Sequence, residues 1–106
     1  MMTDFTRISC QQASEICQLE TTQIIDVRDS EAYAQAHIKN AAHIDNSNLM
    51  NFVAEANPDA ALVIYCYHGN SSQQASQFFI QQDFTTVYSV DGGFEQWRLE
   101  LPDDLA

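Results

Sequence analysis

Along this chain, apolar runs of strand length alternate with segments of helical period, and that alternation leaves few folds open. Gln23-Ile24-Ile25-Asp26-Val27 and Ala61-Leu62-Val63-Ile64-Tyr65 read as buried strands, and Thr85-Thr86-Val87-Tyr88-Ser89 as a third. Phe5 to Ile8 reads as a short edge strand, and Ala41 to Ile44 as a short, weak one. Ser9 with Gln12 three positions on makes a capping box, and Ala13, Ile16 and Cys17 then share a helical face. Asp29 or Ser30 caps a short helix running to about Ala36. Leu49, Phe52, Val53 and Ala56 mark another helix, and Ala75, Phe78 and Phe79 an inward stripe on the next. After a Gly92-Gly93 turn, Phe94, Trp97 and Leu101 line a last helix. Strands alternating with helices predict an α/β fold, a central, mainly parallel sheet with helices on both faces. The pattern leaves strand order open. At 106 residues the chain is expected to form one domain, residues 1–106.

Charge narrows the partners. Fifteen acidic residues against four basic ones give a net charge of −11, which disfavours nucleic acid. An anionic substrate would then need a local device to overcome the global field. No apolar stretch approaches the roughly 20 residues of a membrane span. Met1-Met2-Thr3-Asp4-Phe5 lacks a basic segment followed by an apolar one, so the cytoplasm is the expected compartment. Three cysteines, Cys10, Cys17 and Cys66, form no disulfide framework. Cys10 and Cys17 read as small buried hydrophobes on the first helix.

Cys66 is different. It follows the strongest strand and opens Cys66-Tyr67-His68-Gly69-Asn70-Ser71-Ser72, a tight loop leading into a helix. Ligand sites of open α/β sheets collect at the C-terminal ends of strands, and helix N-termini favour anions. An ordinary cysteine, with a pKa of about 8.5, is only a few per cent thiolate at neutral pH. A ring of backbone N–H groups lowers that value. Gly69 supplies a positive φ for the curl, and Asn70 is among the few other types that tolerate one. Ser71 with Gln74, or Ser72 alone, is placed to cap the helix, and His68 to add a donor. Such a nest suits a thiolate, an oxyanion or a persulfide, none of which needs a metal.

This loop, Asp26-Val27-Arg28, the Tyr33…His37-Ile38…Ala41 segment and Asp91-Gly92-Gly93-Phe94…Trp97 together resemble the rhodanese sulfurtransferases, from about Phe5 to about Leu101. The resemblance places Cys66 at the end of a central strand. It implies that the Cys66 thiolate takes the outer sulfur of thiosulfate, releases sulfite and holds a persulfide. The acceptor it implies is cyanide, a small thiol or a thioredoxin-like dithiol protein, and no cofactor enters. Tyr67 to Ser72 become the anion- and persulfide-binding loop. One departure is Ala36, where the family usually has glycine before the histidine.

Rival readings separate on particular residues. Cysteine-dependent phosphatases place an arginine after five intervening residues, because its planar fork grips phosphate. Here that position is Ser72, and Arg7, Arg28 and Arg98 all lie outside the loop. Asp26 and Arg28 read as an ion pair near the pocket that holds loops together in a supporting role. His37 and His43 read as partners for loop carbonyls or carboxylates. The separation of His37, His43, His68 and Cys66 argues against a metal site. Two alternatives keep the fold and change the job: a non-catalytic binding module, and a persulfide carrier fed by a protein donor.

Overall fold

Burial on both faces explains why the strand before the loop has no polar alternation. In the computed structural model, which describes residues 4–106, β4 (Leu62–Tyr65) is buried at every position. It lies at the centre of a five-stranded sheet ordered β1-β5-β4-β2-β3. The flanking strands are β1 (Thr6–Ile8), β2 (Gln23–Asp26), β3 (Ala42–His43) and β5 (Val87–Val90). Every strand pairing is parallel. The two short strands are the edges, which limits the unpaired backbone the sheet offers.

Helix starts follow local chemistry. α1 (Cys10–Cys17) has the capping box: Gln12 N–H donates to Ser9 Oγ at 3.1 Å, and Ser9 N–H to Gln12 Oε1 at 2.9 Å. Asp29 caps α2 (Ser30–Gln35), accepting from Ala32 N–H at 2.9 Å. That helix ends at Ala36 with φ −167° and ψ 143°. This is ordinary extended backbone, so alanine is at ease where the family usually has glycine. α3 (Leu49–Glu55), α4 (Ser71–Gln81) and α5 (Gly93–Glu100) complete the layers, with a 3₁₀ turn at Pro102–Asp104.

The core has two halves, one on each face of the sheet. Cys10, Ala13, Val63, Tyr65, Phe94 and Trp97 join α1 and α5 to one face. Ile25, Leu62, Ile64, Phe79, Phe84 and Val87 fill the other, beneath α3 and α4. Phe79, 1% exposed, meets Phe52, Phe78 and Phe84 edge-on at centroid distances of 5.8, 5.4 and 5.2 Å. Among the described residues, no helix is long and apolar enough to cross a membrane. Phe79→Ala removes the centre of this aromatic cluster and is expected to cost about 3–5 kcal/mol. Urea unfolding should show a lower midpoint with an unchanged m-value.

Candidate active site

Cys66 is the first residue beyond β4, and the chain then curls so that donors turn back onto its sulfur. Gly69 N–H lies 3.2 Å and Ser72 N–H 3.3 Å from Sγ. The Ser72 hydroxyl is 3.4 Å from the same atom. Gly69 makes the curl with φ +98°, where a Cβ would meet Gly92 N at 3.1 Å and Val90 O at 3.2 Å. Burial works to raise the Cys66 pKa. The Ser72 hydroxyl, the Ser72 and Gly69 N–H groups and the His68 backbone outweigh it and hold the thiol below its ordinary value. Access is narrow, for Cys66 is 4% exposed.

Three expectations for the loop need correcting. Neither Ser71 nor Ser72 caps α4: Asn70 occupies the N-cap position and makes no side-chain cap bond. The Ser72 hydroxyl is instead engaged with Cys66 and with Ser89 Oγ, 2.8 Å away. Asn70 is right-handed, with φ −91° and ψ −57°, so glycine alone carries the turn. Counting from Asn70, Ser72 is the second residue of the helix, whose N–H an N-cap side chain ordinarily receives. Here the Cys66 sulfur receives it. The His68 and Tyr67 side chains are exposed. His68 acts on the sulfur through its backbone.

The outer side of the loop is tied down. Phe94 N–H donates to Cys66 O at 2.8 Å, and Glu95 N–H to Tyr67 O at 3.1 Å. Gln73 Nε2 donates to Gly69 O at 2.9 Å. The first turn of α5 thus takes the loop's carbonyls while its N–H groups face the sulfur. Gly93 permits this contact: a Cβ there would sit 2.5 Å from Cys66 O.

Asp26 and Arg28 form the structural pair expected of them. Arg28 Nη2 lies 2.7 Å from Asp26 Oδ2, with the two side chains 2% and 0% exposed. The same nitrogen donates to Ala36 O at 2.6 Å. The guanidinium lies over Phe94, 3.9 Å from the ring centroid, and 5.7 Å from those of Tyr65 and Tyr67. Burial opposes its charge, but the Asp26 hydrogen bond and charge leave Arg28 above its ordinary pKa. Burial, and then Asp26, push the Tyr65 phenol well up. The neutral Tyr65 oxygen accepts from Ile38 N–H at 3.1 Å. Tyr67 walls a cleft of about 250 Å³ with Arg28, Ala36, Phe94 and Arg98, and its hydroxyl donates to Asp29.

The remaining candidates fall elsewhere. His37 Nδ1 meets Tyr33 O at 2.9 Å, and His43 Nε2 meets Arg28 O at 2.7 Å, both loop or helix-end carbonyls as expected. Cys10 and Cys17 sit in or against the core. Burial first, with Glu100 adding to it, raises the Cys10 thiol to about 11, and burial with Asp104 raises Cys17 to about 12. Ser89 went unremarked in the sequence. Its signal is a serine on the same strand face as Val87, where apolar neighbours are expected.

A parallel sheet ending in this sulfur-binding loop defines a class, and the comparisons agree with it: the chain belongs to the rhodanese-like domain family, whose model matches residues 9–100. Among curated relatives it is 49% identical, over 106 residues, to the thiosulfate sulfurtransferase GlpE of Pseudomonas paraeruginosa, covering 100% of this chain and 96% of that protein. It is 46% identical to the thiosulfate sulfurtransferase GlpE of Pseudomonas putida, covering 99% and 96%. Of solved structures, the rhodanese-related protein of Thermoplasma volcanium superposes with a TM-score of 0.77 at 26% identity, covering 92% of this chain and 94% of that one. The reduced CoADR-RHD of Bacillus anthracis shares the fold, with a TM-score of 0.81 at 22% identity over 96% of this chain and 18% of that one.

Two outcomes follow from this geometry. Arg28→Ala strands a buried Asp26 carboxylate and is expected to cost about 3–5 kcal/mol in urea unfolding. Asp26→Leu combined with Arg28→Met should cost less than that single change. Alkylation at neutral pH, read by peptide mass, should modify Cys66 well before Cys10 or Cys17, because its thiol is lowered and theirs are raised.

Proposed function

We propose that this protein is a thiosulfate sulfurtransferase in which Cys66 is the catalytic nucleophile. The observation that carries the reading is a sulfur held by two N–H groups and a hydroxyl, with its thiol pKa lowered despite burial. Full-length relatives bearing that name support it. The Cys66 thiolate attacks the outer sulfur of thiosulfate. A new sulfur–sulfur bond forms, the bond to the sulfonate sulfur breaks, and its electron pair leaves with sulfite. The negative charge then rests on the outer sulfur of a Cys66 persulfide.

Within the 66–72 loop, the N–H groups of Asn70 and Ser71 have no acceptor among the described residues. They are available to an oxyanion or to the persulfide's terminal sulfur. In the second step an acceptor attacks that sulfur and restores the thiolate. Cyanide would leave as thiocyanate. A dithiol protein such as a thioredoxin would take up the sulfur as its own persulfide, and its second thiol would displace hydrosulfide to close a disulfide. Neither step needs a general base once the thiol is ionised, and ping-pong kinetics follow. Small thiols serve as acceptors by the same displacement. Asp26 and Arg28 support the loop without touching the reacting sulfur. The three free thiols fit a reducing compartment, the cytoplasm.

Phosphate chemistry fits poorly, since the loop has no arginine and Arg28 is committed to Asp26 and Ala36. Incubation with thiosulfate should add one sulfur atom to the intact mass and release sulfite in equal amount, whereas Cys66→Ser should gain nothing. A wild-type protein that takes up no sulfur and releases no sulfite would overturn the assignment. The loading rate should be level above the lowered thiol pKa and fall as pH drops through it, because the attacking thiolate is then protonated.

A further inference from the structure

Ser89 lies in the middle of the sheet, opposite Ile64 of β4 and Arg7 of β1, and is completely buried. On that face its core neighbours Val87, Leu62 and Ile64 are apolar. Alanine would fill such a place without a polar atom to satisfy. Among the described residues, the only hydrogen-bond partner of the Ser89 side chain is Ser72 Oγ, at 2.8 Å. Ser72 Oγ in turn has Cys66 Sγ at 3.4 Å. The three atoms form a line, sulfur to hydroxyl to hydroxyl, that ends in the core.

Counting hydrogens fixes the direction of this line. Each hydroxyl has one hydrogen to give, and an anionic sulfur has none. If a neutral thiol donates to Ser72, one hydroxyl hydrogen is left with no acceptor: that of Ser89 if Ser72 donates to Ser89, or that of Ser72 if Ser89 donates to Ser72. A buried donor left without an acceptor destabilises the state that holds it. If the sulfur is ionised, Ser89 donates to Ser72, Ser72 donates to the sulfur, and every hydrogen has an acceptor. We propose that Ser89 is a positioning residue for the Cys66 thiolate, donating to Ser72 Oγ so that the Ser72 hydrogen is committed to the sulfur. The proposal rests on Cys66 being the reacting sulfur.

The charged and titratable groups on the surrounding elements leave this role to the hydroxyls. Asp26 and Arg28 beside β2 neutralise each other. Arg7 of β1 pairs with Asp91, just past β5, and Glu95 and Arg98 pair on α5. Tyr67 is bonded to Asp29, Tyr65 accepts from Ile38, and His68 is exposed on the loop. α4 carries no charged residue. Ser76, the neighbouring buried serine, donates to the Ser72 carbonyl at 2.7 Å and takes no part in the line.

The test is the pH dependence of Cys66 alkylation by iodoacetamide, which reads the thiol whether or not thiosulfate is a substrate. Ser89→Ala should lower the alkylation rate at a fixed pH below the thiol pKa by about three- to tenfold, with the whole profile displaced upward. Ser72→Ala should have a larger effect, and adding Ser89→Ala to it should do nothing more. Ser76→Ala should titrate like the wild type. A Ser89→Ala profile that overlays the wild type overturns the proposal, as does an effect that persists in the Ser72→Ala background. Should Ser89→Ala fail to fold, the Ser89 Cβ resonance of the wild type decides. It is expected to titrate with the Cys66 midpoint, and a resonance that does not move overturns the relay. Sulfur uptake is scored separately, so a chain with this titration but no uptake would sink the sulfurtransferase reading alone.

Discussion

The Cys66 sulfur stands where the side chain of an N-cap residue usually would, receiving the second N–H of α4. A helix start leaves four N–H groups without internal partners, and they gather positive potential there. Anchoring one of them on a sulfur makes the helix and the thiolate stabilise each other. Protonating the sulfur weakens the cap, and removing the cap raises the thiol. The curl through Gly69 serves this arrangement, as does the position of β4 in mid-sheet, which delivers Cys66 to the helix end.

A chain of net charge −11 repels anions at long range, yet the reading requires one to bind. The conflict is resolved locally. Salt screens charges beyond about 8 Å under physiological conditions, whereas N–H groups act at contact. Among the described residues, the cation buried beside the site, Arg28, is already committed to Asp26 and stacked on Phe94. It contributes shape rather than free charge. On the proposed reading a small sulfur oxyanion is met by neutral dipoles rather than by the grip of a guanidinium fork.

Much of this was legible in the sequence because the signals are periodic or local. The apolar run of β4, the capping box at Ser9, the Asp29 cap and the heart of each helix are all found where the residues put them. β5 lies slightly later than its β-rich run, because Val90 still pairs with Ile8 before the Gly92-Gly93 turn. The misread cap has a physical cause. Serine beside a helix start suggests a cap, and only the fold reveals that a sulfur six residues earlier has taken that role. Ser72 and Ser89 are 17 residues apart, so their contact depends on the strand order, which periodicity does not encode. The Tyr65 oxygen bonding Ile38 N–H is hidden for the same reason.

The hold of α5 and Gln73 on the loop has one more consequence. Glu95 fixes the Tyr67 carbonyl and Gln73 the Gly69 carbonyl, so the peptide planes that carry the His68 and Asn70 N–H groups are held in place. In the proposed cycle from thiolate to persulfide and back, charge travels outward by about one sulfur–sulfur bond. Around that moving charge the polar frame stays still. Little energy is then spent on reorganising the surroundings in either half of the cycle, which is what preorganised electrostatics offers over a loop that must relax each time.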